Sequence, residues 1–419
     1  MNIALLHYSA PPVVGGVESV LAHHARLLAN VGHQVRILAG RGAQTDARIP
    51  FIHLPLVDSR QARVLALKRA LDGGHIPDGF AGLVAELCAD LTPHLEGVEV
   101  LIAHNVCSLH KNLALTAALW EIARSPGSPR LVLWHHDLAW TTPRYRSELH
   151  PGFPWDLLRQ AWPGARQVVV SQLRRGELSA LTGISPDSIR VIPNGLDVPA
   201  FLKLEPQTVH FVQQLDLLSA APLLLLPVRI TPRKNLELAL RALAVHTESL
   251  PDAAQDAALV VTGPPGPHNP ANQAYFERLM DLRSELGLEG RAHFLAEVAA
   301  EQDPDYLPDA VIADFYRLAD ALLLPSREEG FGIPVLEAGL ASLPVFCADL
   351  PPLRDLAGDQ ATYFSPQVEP TALAAAIAGR LAADPVYELR RRVRQEYTWE
   401  GIYVRQIAPL LESLRQDKP

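Results

Sequence analysis

Short apolar runs alternate along the chain with longer segments whose apolar positions recur every three or four residues. The short runs are rich in Val, Ile and Leu and are bounded by Gly, Pro or Asn. In the first half they predict strands near Ile3–His7, Gln34–Leu38, Val98–Ala103, Leu131–Trp134, Val168–Ser171 and Arg190–Ile192. These runs are apolar on consecutive positions, and helical patterns separate them, which predicts a parallel sheet buried on both faces. The first helical pattern, VESVLAHHARLLANVGHQV, places Val17, Val20, Leu21, Leu27 and Leu28 on one face, with Gly32 as its stop.

The alternation breaks near 193–222, where IPNGLDVPAF is rich in turn residues. It restarts with predicted strands at Leu223–Val228, Leu259–Thr262, His293–Leu295, Ala321–Leu324 and Val345–Ala348. With 419 residues the chain exceeds the roughly 250–300 at which a single core stops growing. The expected fold class is therefore α/β, with two Rossmann-like domains. Residues 1–200 form the first domain, 205–395 the second, and the segment from 396 to 419 ends in an amphipathic helix. Open parallel sheets bind ligands beyond the carboxyl ends of their strands. Two such sheets facing each other imply a cleft, with the chemistry on the loops that follow strands.

Composition narrows the function. Hydrophobic residues make up 48% and charged residues 20%, the balance of a globular protein. A net charge of −9 argues against nucleic acid as a partner. Cys88, Cys107 and Cys347 are widely spaced and form no CxxC pair, which reads as reduced thiols in a cytoplasmic protein. The opening MNIALLHYSAPP reads as a first strand rather than a signal peptide, and no apolar stretch is as long as a membrane span.

The segment SREEGFGIPVLEAG, 326–339, follows the apolar strand ALLLP and opens a helix. Gly330 and Gly332 allow a ligand close to the backbone, and Pro334 suits a helix start. The backbone N–H groups of Gly330, Phe331, Gly332 and Ile333 are thereby aimed at an anion, helped by the helix dipole. Glu329 and Glu337 are placed to accept hydrogen bonds from sugar and ribose hydroxyls. In PVRITPRKN, Arg229 ends a strand and Lys234 stands at the next helix start. Two cations there neutralise a diphosphate and the charge that grows on it as a sugar departs. Lysine is rare in the chain, confined to Lys68, Lys111, Lys203, Lys234 and Lys418, so its presence in this motif carries weight.

These motifs, with GGVE at 15–18, HHD at 135–137, IPNGLD at 192–197 and YTWE at 397–400, resemble in content and order those of the retaining GT-B glycosyltransferases of family four. That is the sucrose-phosphate-synthase-like group, also described as glycosyl transferases group 1. The resemblance extends over most of the chain. It implies that Glu337 binds the nucleotide ribose and Glu329 the donor sugar, and that Arg229 and Lys234 hold the diphosphate. It further implies that Gly15 and Gly16 lie beside diphosphate and acceptor, that His136 contacts the transferring sugar, and that the terminal helix crosses back to the first domain. The implied catalytic group is His136, Arg229, Lys234 and Glu329. The implied reaction moves a hexose from a nucleotide diphosphate sugar to a small, soluble, polar acceptor with retention of configuration, without a catalytic metal or other cofactor.

Alternatives are a lipid-linked acceptor at a membrane surface, a phosphorylase on the same scaffold, and a non-catalytic nucleotide-sugar-binding protein. The acceptor is expected near Thr141–Gly164, which holds Arg144, Tyr145, Arg146, His150, Trp155 and Trp162. Asp303 and Asp305 have the spacing of a metal-binding DxD motif, but their Pro-rich acidic loop reads as an insertion. TGPPGPHNP, 262–270, resembles a phosphate cradle, yet its prolines lack N–H donors. Ser342 stands where the family usually has Gly.

Overall fold

A computed structural model describes residues 1–249, 256–298 and 307–416. The chain forms two compact units. One comprises Met1–Gly195 and the segment from Trp399 onward, the other Leu196–Thr398.

In the first unit seven strands form one parallel sheet: β1 (Asn2–His7), β2 (Gln34–Ala39), β3 (Phe51–His53), β4 (Val100–His104), β5 (Arg130–His135), β6 (Arg166–Val169) and β7 (Ile189–Val191). Their order is β3-β2-β1-β4-β5-β6-β7. The order reverses between β1 and β4, so the loops after these two strands diverge and leave a crevice at their carboxyl ends. Both faces of the sheet are covered. Leu6, Leu38, Leu101 and Leu133 pack on one side with the helix Phe80–Leu95. On the other, Ile3, Leu5, Val35 and Ile102 pack with Leu21 and Leu28 of the helix Gly16–Asn30 and with Ile402, Ile407, Leu410 and Leu414 near the end of the chain. Trp399, where the chain re-enters this unit, stacks on His23 at 5.1 Å. It lies so close to Gly195 that a Cβ there would come within 2.5 Å of the indole.

The second unit has six parallel strands: β8 (Leu223–Leu226), β9 (Ala258–Val261), β10 (Ala292–Phe294), β11 (Ala321–Leu324), β12 (Val345–Ala348) and β13 (Thr362–Phe364). Their order is β10-β9-β8-β11-β12-β13, with the reversal between β8 and β11. Leu224 pairs with Ala321 and Leu225 with Leu322, which brings the ends of these two strands side by side.

Each expected strand is present, shifted by up to two residues. The strand expected to reach Ser171 stops at Val169, because the Ser171 hydroxyl caps the helix Gln172–Thr182 by accepting from the Arg174 amide. β3 and β13, three-residue strands at sheet edges, went unpredicted. No helix of the described residues is long and apolar enough to cross a membrane.

Candidate functional site

The switch point of the second unit brings the two strongest motifs together. After β8 the chain passes Arg229 and makes a tight turn at Pro232–Lys234, then continues through Asn235 in a left-handed conformation, φ 56°. Asn235 is buried, and its amide donates to the carbonyls of Pro325 at 3.0 Å and Pro366 at 3.1 Å, while its oxygen accepts from Arg327 at 2.8 Å. This clamp fixes the lysine-bearing turn against the loop that follows β11. Lys234 Nζ donates to Glu329 Oε1 at 2.6 Å, and Ser326 Oγ donates to the same oxygen at 2.7 Å. Glu329 Oε2 accepts from no described residue. The Arg229 side chain is exposed and has no partner among the described residues. It is the uncommitted cation of the pair.

Gly332 has φ 108° and caps the helix Ile333–Leu340, and a Cβ there would press within 2.4 Å of Leu353. Glycine is therefore required twice over, by backbone conformation and by space. Among the described residues, no acceptor takes the amides of Gly330, Phe331, Gly332 and Ile333, so the loop offers donors at a helix start. Glu337, on the outer face of this helix, accepts from the Tyr316 hydroxyl at 2.5 Å. Burial and the neighbouring carboxylate raise the pKa of that phenol, keeping it a donor. Tyr316, Ile312, Leu340 and Glu337 line an open groove of about 510 Å³.

The loop 262–266 is a wall rather than a cradle. The Ile230 amide donates to the Pro264 carbonyl and the Gly266 amide to that of Ile230. At Gly263 a Cβ would lie 2.3 Å from the Val228 carbonyl oxygen. Asp303 and Asp305 lie outside the described residues.

In the first unit the crevice between β1 and β4 is lined by histidines. His7 Nδ1 donates to the His104 carbonyl at 2.8 Å, and His104 Nδ1 lies 3.2 Å from His136 Nε2. Asn105, left-handed at φ 58°, accepts the amides of His136 at 2.7 Å and Asp137 at 3.1 Å. Desolvation lowers the pKa of His136 to about 3 and pushes His104 well below the usual imidazole range. Both rings are neutral near pH 7. Gly15 is extended at φ −178°, a conformation open to any residue. The Glu18 side chain lies against it, with Oε2 2.0 Å from where a Cβ would stand and Oε1 accepting from Ser9 Oγ at 2.6 Å. Gly16 has open space around it. Cys107 is buried, and desolvation raises its thiol pKa far above neutrality, which makes it unreactive.

The segment Thr141–Gly164 divides in two. Trp155 and Trp162 are buried against the core, whereas Arg144 and Arg146 are exposed, with Arg144 over the Tyr145 ring at 4.7 Å. The segment is tied down through Glu148, which accepts from Lys68 at 2.9 Å and meets His110 Nε2 at 2.5 Å. Asp72, His110 and Glu148 have metal-ligand spacing, but the Lys68 ammonium, 2.6 Å from Asp72, already supplies their cation.

Sequence reasoning missed Tyr316, Ser326 and Asn235; it marked His104 and Asn105 as candidates at a strand end, without the clamping part of Asn105. Tyr316 is one aromatic in an ordinary amphipathic pattern and gave no signal. The two asparagines stand just past a strand end and just before a helix start, and that position was the available clue.

Each half of the chain matches a known family. Residues 14–199 match the model described as Glycosyltransferase Family 4, and residues 211–397 match Glycosyl transferases group 1. The chain belongs to this glycosyltransferase family, and its two Rossmann-like units are those of the GT-B class. It is 24% identical to mannosylglucosylglycerate synthase of Petrotoga mobilis, over 84% of this chain and 83% of that one. It is 26% identical to a D-inositol 3-phosphate glycosyltransferase of Thermobispora bispora, over 81% of this chain and 75% of the relative. Among solved structures, sucrose-phosphate synthase of Thermosynechococcus elongatus aligns over the whole of both chains, at 18% identity and a TM-score of 0.39.

Proposed function

We propose that this glycosyltransferase moves a hexose from a nucleotide diphosphate sugar to a small, polar, anionic acceptor, with retention of configuration and without a catalytic metal. The observation that carries this reading is the cluster at the β8–β11 switch point, where Lys234, Glu329, an uncommitted Arg229 and four free amides converge. Cations and amide donors suit a diphosphate, and they stabilise most strongly the charge that develops as the glycosidic bond to it breaks. Arg229 and Lys234 thereby take the part a divalent ion plays elsewhere. The free oxygen of Glu329 receives a hydroxyl of the sugar, and Glu337 the ribose diol. His136 of the first unit contacts the transferring sugar. The departing phosphate takes the acceptor proton, and no side chain is nominated as nucleophile.

For the acceptor, two relatives carry glycerate and inositol 3-phosphate in their names, both anionic polyols. The exposed Arg144 and Arg146 are the matching cations. The test is a melting-shift screen with UDP-, GDP- and ADP-sugars, then product analysis with pooled anionic polyols. Retention requires the donor's anomeric configuration in the product by NMR. Excess chelator should leave the rate unchanged. Release of sugar phosphate from an oligosaccharide and inorganic phosphate would instead make the protein a phosphorylase.

A further inference from the structure

The end of β4 holds a second buried histidine beside His136. The His104 ring is fully buried, with Nδ1 3.2 Å from His136 Nε2 and Nε2 enclosed with no partner. We propose that His104 is a positioning residue that fixes the proton of His136 on Nδ1, so that His136 offers a bound ligand an N–H donor.

Proton count decides between the two tautomers. A neutral imidazole carries a single N–H. The contact between the rings is either His104 Nδ1–H donating to His136 Nε2, or His136 Nε2–H donating to His104 Nδ1. The second arrangement forces the His104 proton onto Nε2, where no acceptor is in reach, and orphaned buried N–H groups are rarer and costlier than orphaned acceptors. The surroundings reinforce the choice. Trp134 Nε1, an obligatory donor whose ring lies 5.5 Å from that of His104, is also enclosed without a partner, so the pocket is short of acceptors. His24 Nε2, on a ring 5.3 Å away, is likewise partnerless and makes no bond to His104. The first arrangement therefore holds. His136 then carries its hydrogen on Nδ1, which has no partner among the described residues and is not enclosed as His104 Nε2 is. The other groups around His136 are His7, His24, His135 and Asn105; the first three are buried neutral imidazoles, and Asn105 holds the backbone. None of them supplies a competing acceptor for Nε2. A neutral N–H donor binds a sugar hydroxyl oxygen and is not a general base, in keeping with a reaction in which the leaving phosphate takes the proton.

The tautomer stands on this geometry alone, while its use in transfer rests on the function proposed above. The experiment separates the two. Two-bond ¹⁵N–¹H correlation spectra of the ligand-free full chain with labelled histidine, at pH 7.5, report each ring's tautomer, and His136→Gln assigns the signal. Free imidazole side chains in water favour Nε2–H, so the Nδ1–H pattern expected for His136 is distinctive. His104→Asn, which keeps a donor, should preserve that pattern, and His104→Leu should lose it. Turnover should fall roughly tenfold in His104→Leu, one hydrogen bond's share of transition-state stabilisation, and recover in His104→Asn. An Nε2–H pattern in the wild type, or Nδ1–H unchanged in a folded His104→Leu, overturns the proposal. A protein that binds no nucleotide sugar yet shows the expected tautomers would overturn the functional reading and leave this one standing.

Discussion

Lys234 and Glu329 form a buried ion pair, Nζ to Oε1 2.6 Å, at the carboxyl ends of the two strands where the second sheet changes direction. Both side chains are about nine-tenths shielded from solvent. Lys234→Met should lower turnover by about 10²–10³-fold, the loss expected for a charge contact strongest in the transition state. Removing one partner of a buried pair leaves the other uncompensated, at a cost of about 3–5 kcal/mol, whereas replacing both by apolar residues is close to neutral. Urea unfolding should therefore find the Lys234→Met, Glu329→Leu double variant more stable than either single variant. Additive losses would show that the pair is not coupled.

The two glutamates should separate by ligand. Glu337→Ala should weaken binding of the free nucleoside diphosphate, whereas Glu329→Ala should nearly preserve that affinity and damage transfer. Tyr316→Phe removes the hydroxyl that holds Glu337 and should weaken the nucleotide by a lesser factor, about three- to tenfold for one hydrogen bond. The effect should vanish for a 2′,3′-dideoxy nucleotide. Calorimetry with nucleotide alone decides, and equal losses in the two glutamate variants would refute the division.

The proposed acceptor contacts are the exposed arginines of the first unit, Arg144 and Arg146. Replacing Arg144 and Arg146 together by Ala should raise the acceptor KM at least tenfold, since paired guanidinium contacts to an anion are worth roughly that much or more. Nucleotide affinity and donor hydrolysis should not change. An unaltered acceptor KM would remove this segment from the acceptor site, and co-sedimentation with anionic vesicles would favour a lipid-linked acceptor.

Buried histidines make the first unit acid-sensitive. Burial lowers the pKa of His7 and His135 to about 4 and of His24 and His136 to about 3, and depresses His104 as well. In the unfolded chain each returns to about 6.5. Above pH 7 neither state binds these protons and they leave stability unchanged. Between about 6.5 and 4 only the unfolded chain binds them, so stability falls as pH falls, by up to about 1.4 kcal/mol per pH unit for each group. The urea midpoint should drop steeply from pH 7 to pH 5, and a flat profile would show that these rings accept protons in place.

Ser342 sits at φ 59°, a left-handed conformation that costs a β-carbon about 1–2 kcal/mol. Ser342→Gly should stabilise the protein by about 0.5–1 kcal/mol, after the greater freedom glycine gives the unfolded chain. The urea midpoint should rise with an unchanged slope. A fall would mean that the serine side chain makes a compensating contact.

The sequence by itself determined the alternation of strands and helices, because burial on both sheet faces writes itself as continuous apolar runs, and β8 and β11 are legible on that ground alone. It also determined the chemistry on offer, since a strand-Gly-helix junction such as Ser326–Gly339 is a local feature. Which groups meet was decided by the tertiary structure. Lys234 and Glu329 are 95 residues apart, and His104 and His136 are 32 apart. Strand order sets their proximity, and no local pattern encodes strand order. Tyr316 touches Glu337 only because the helices Asp309–Leu318 and Ile333–Leu340 face one another across a groove, and a helical period records which face is apolar but not what lies opposite it. The tryptophans of the 141–164 segment turned inward for the same reason: burying a large ring against available apolar surface outweighs exposing it, and that surface exists only once the chain has folded.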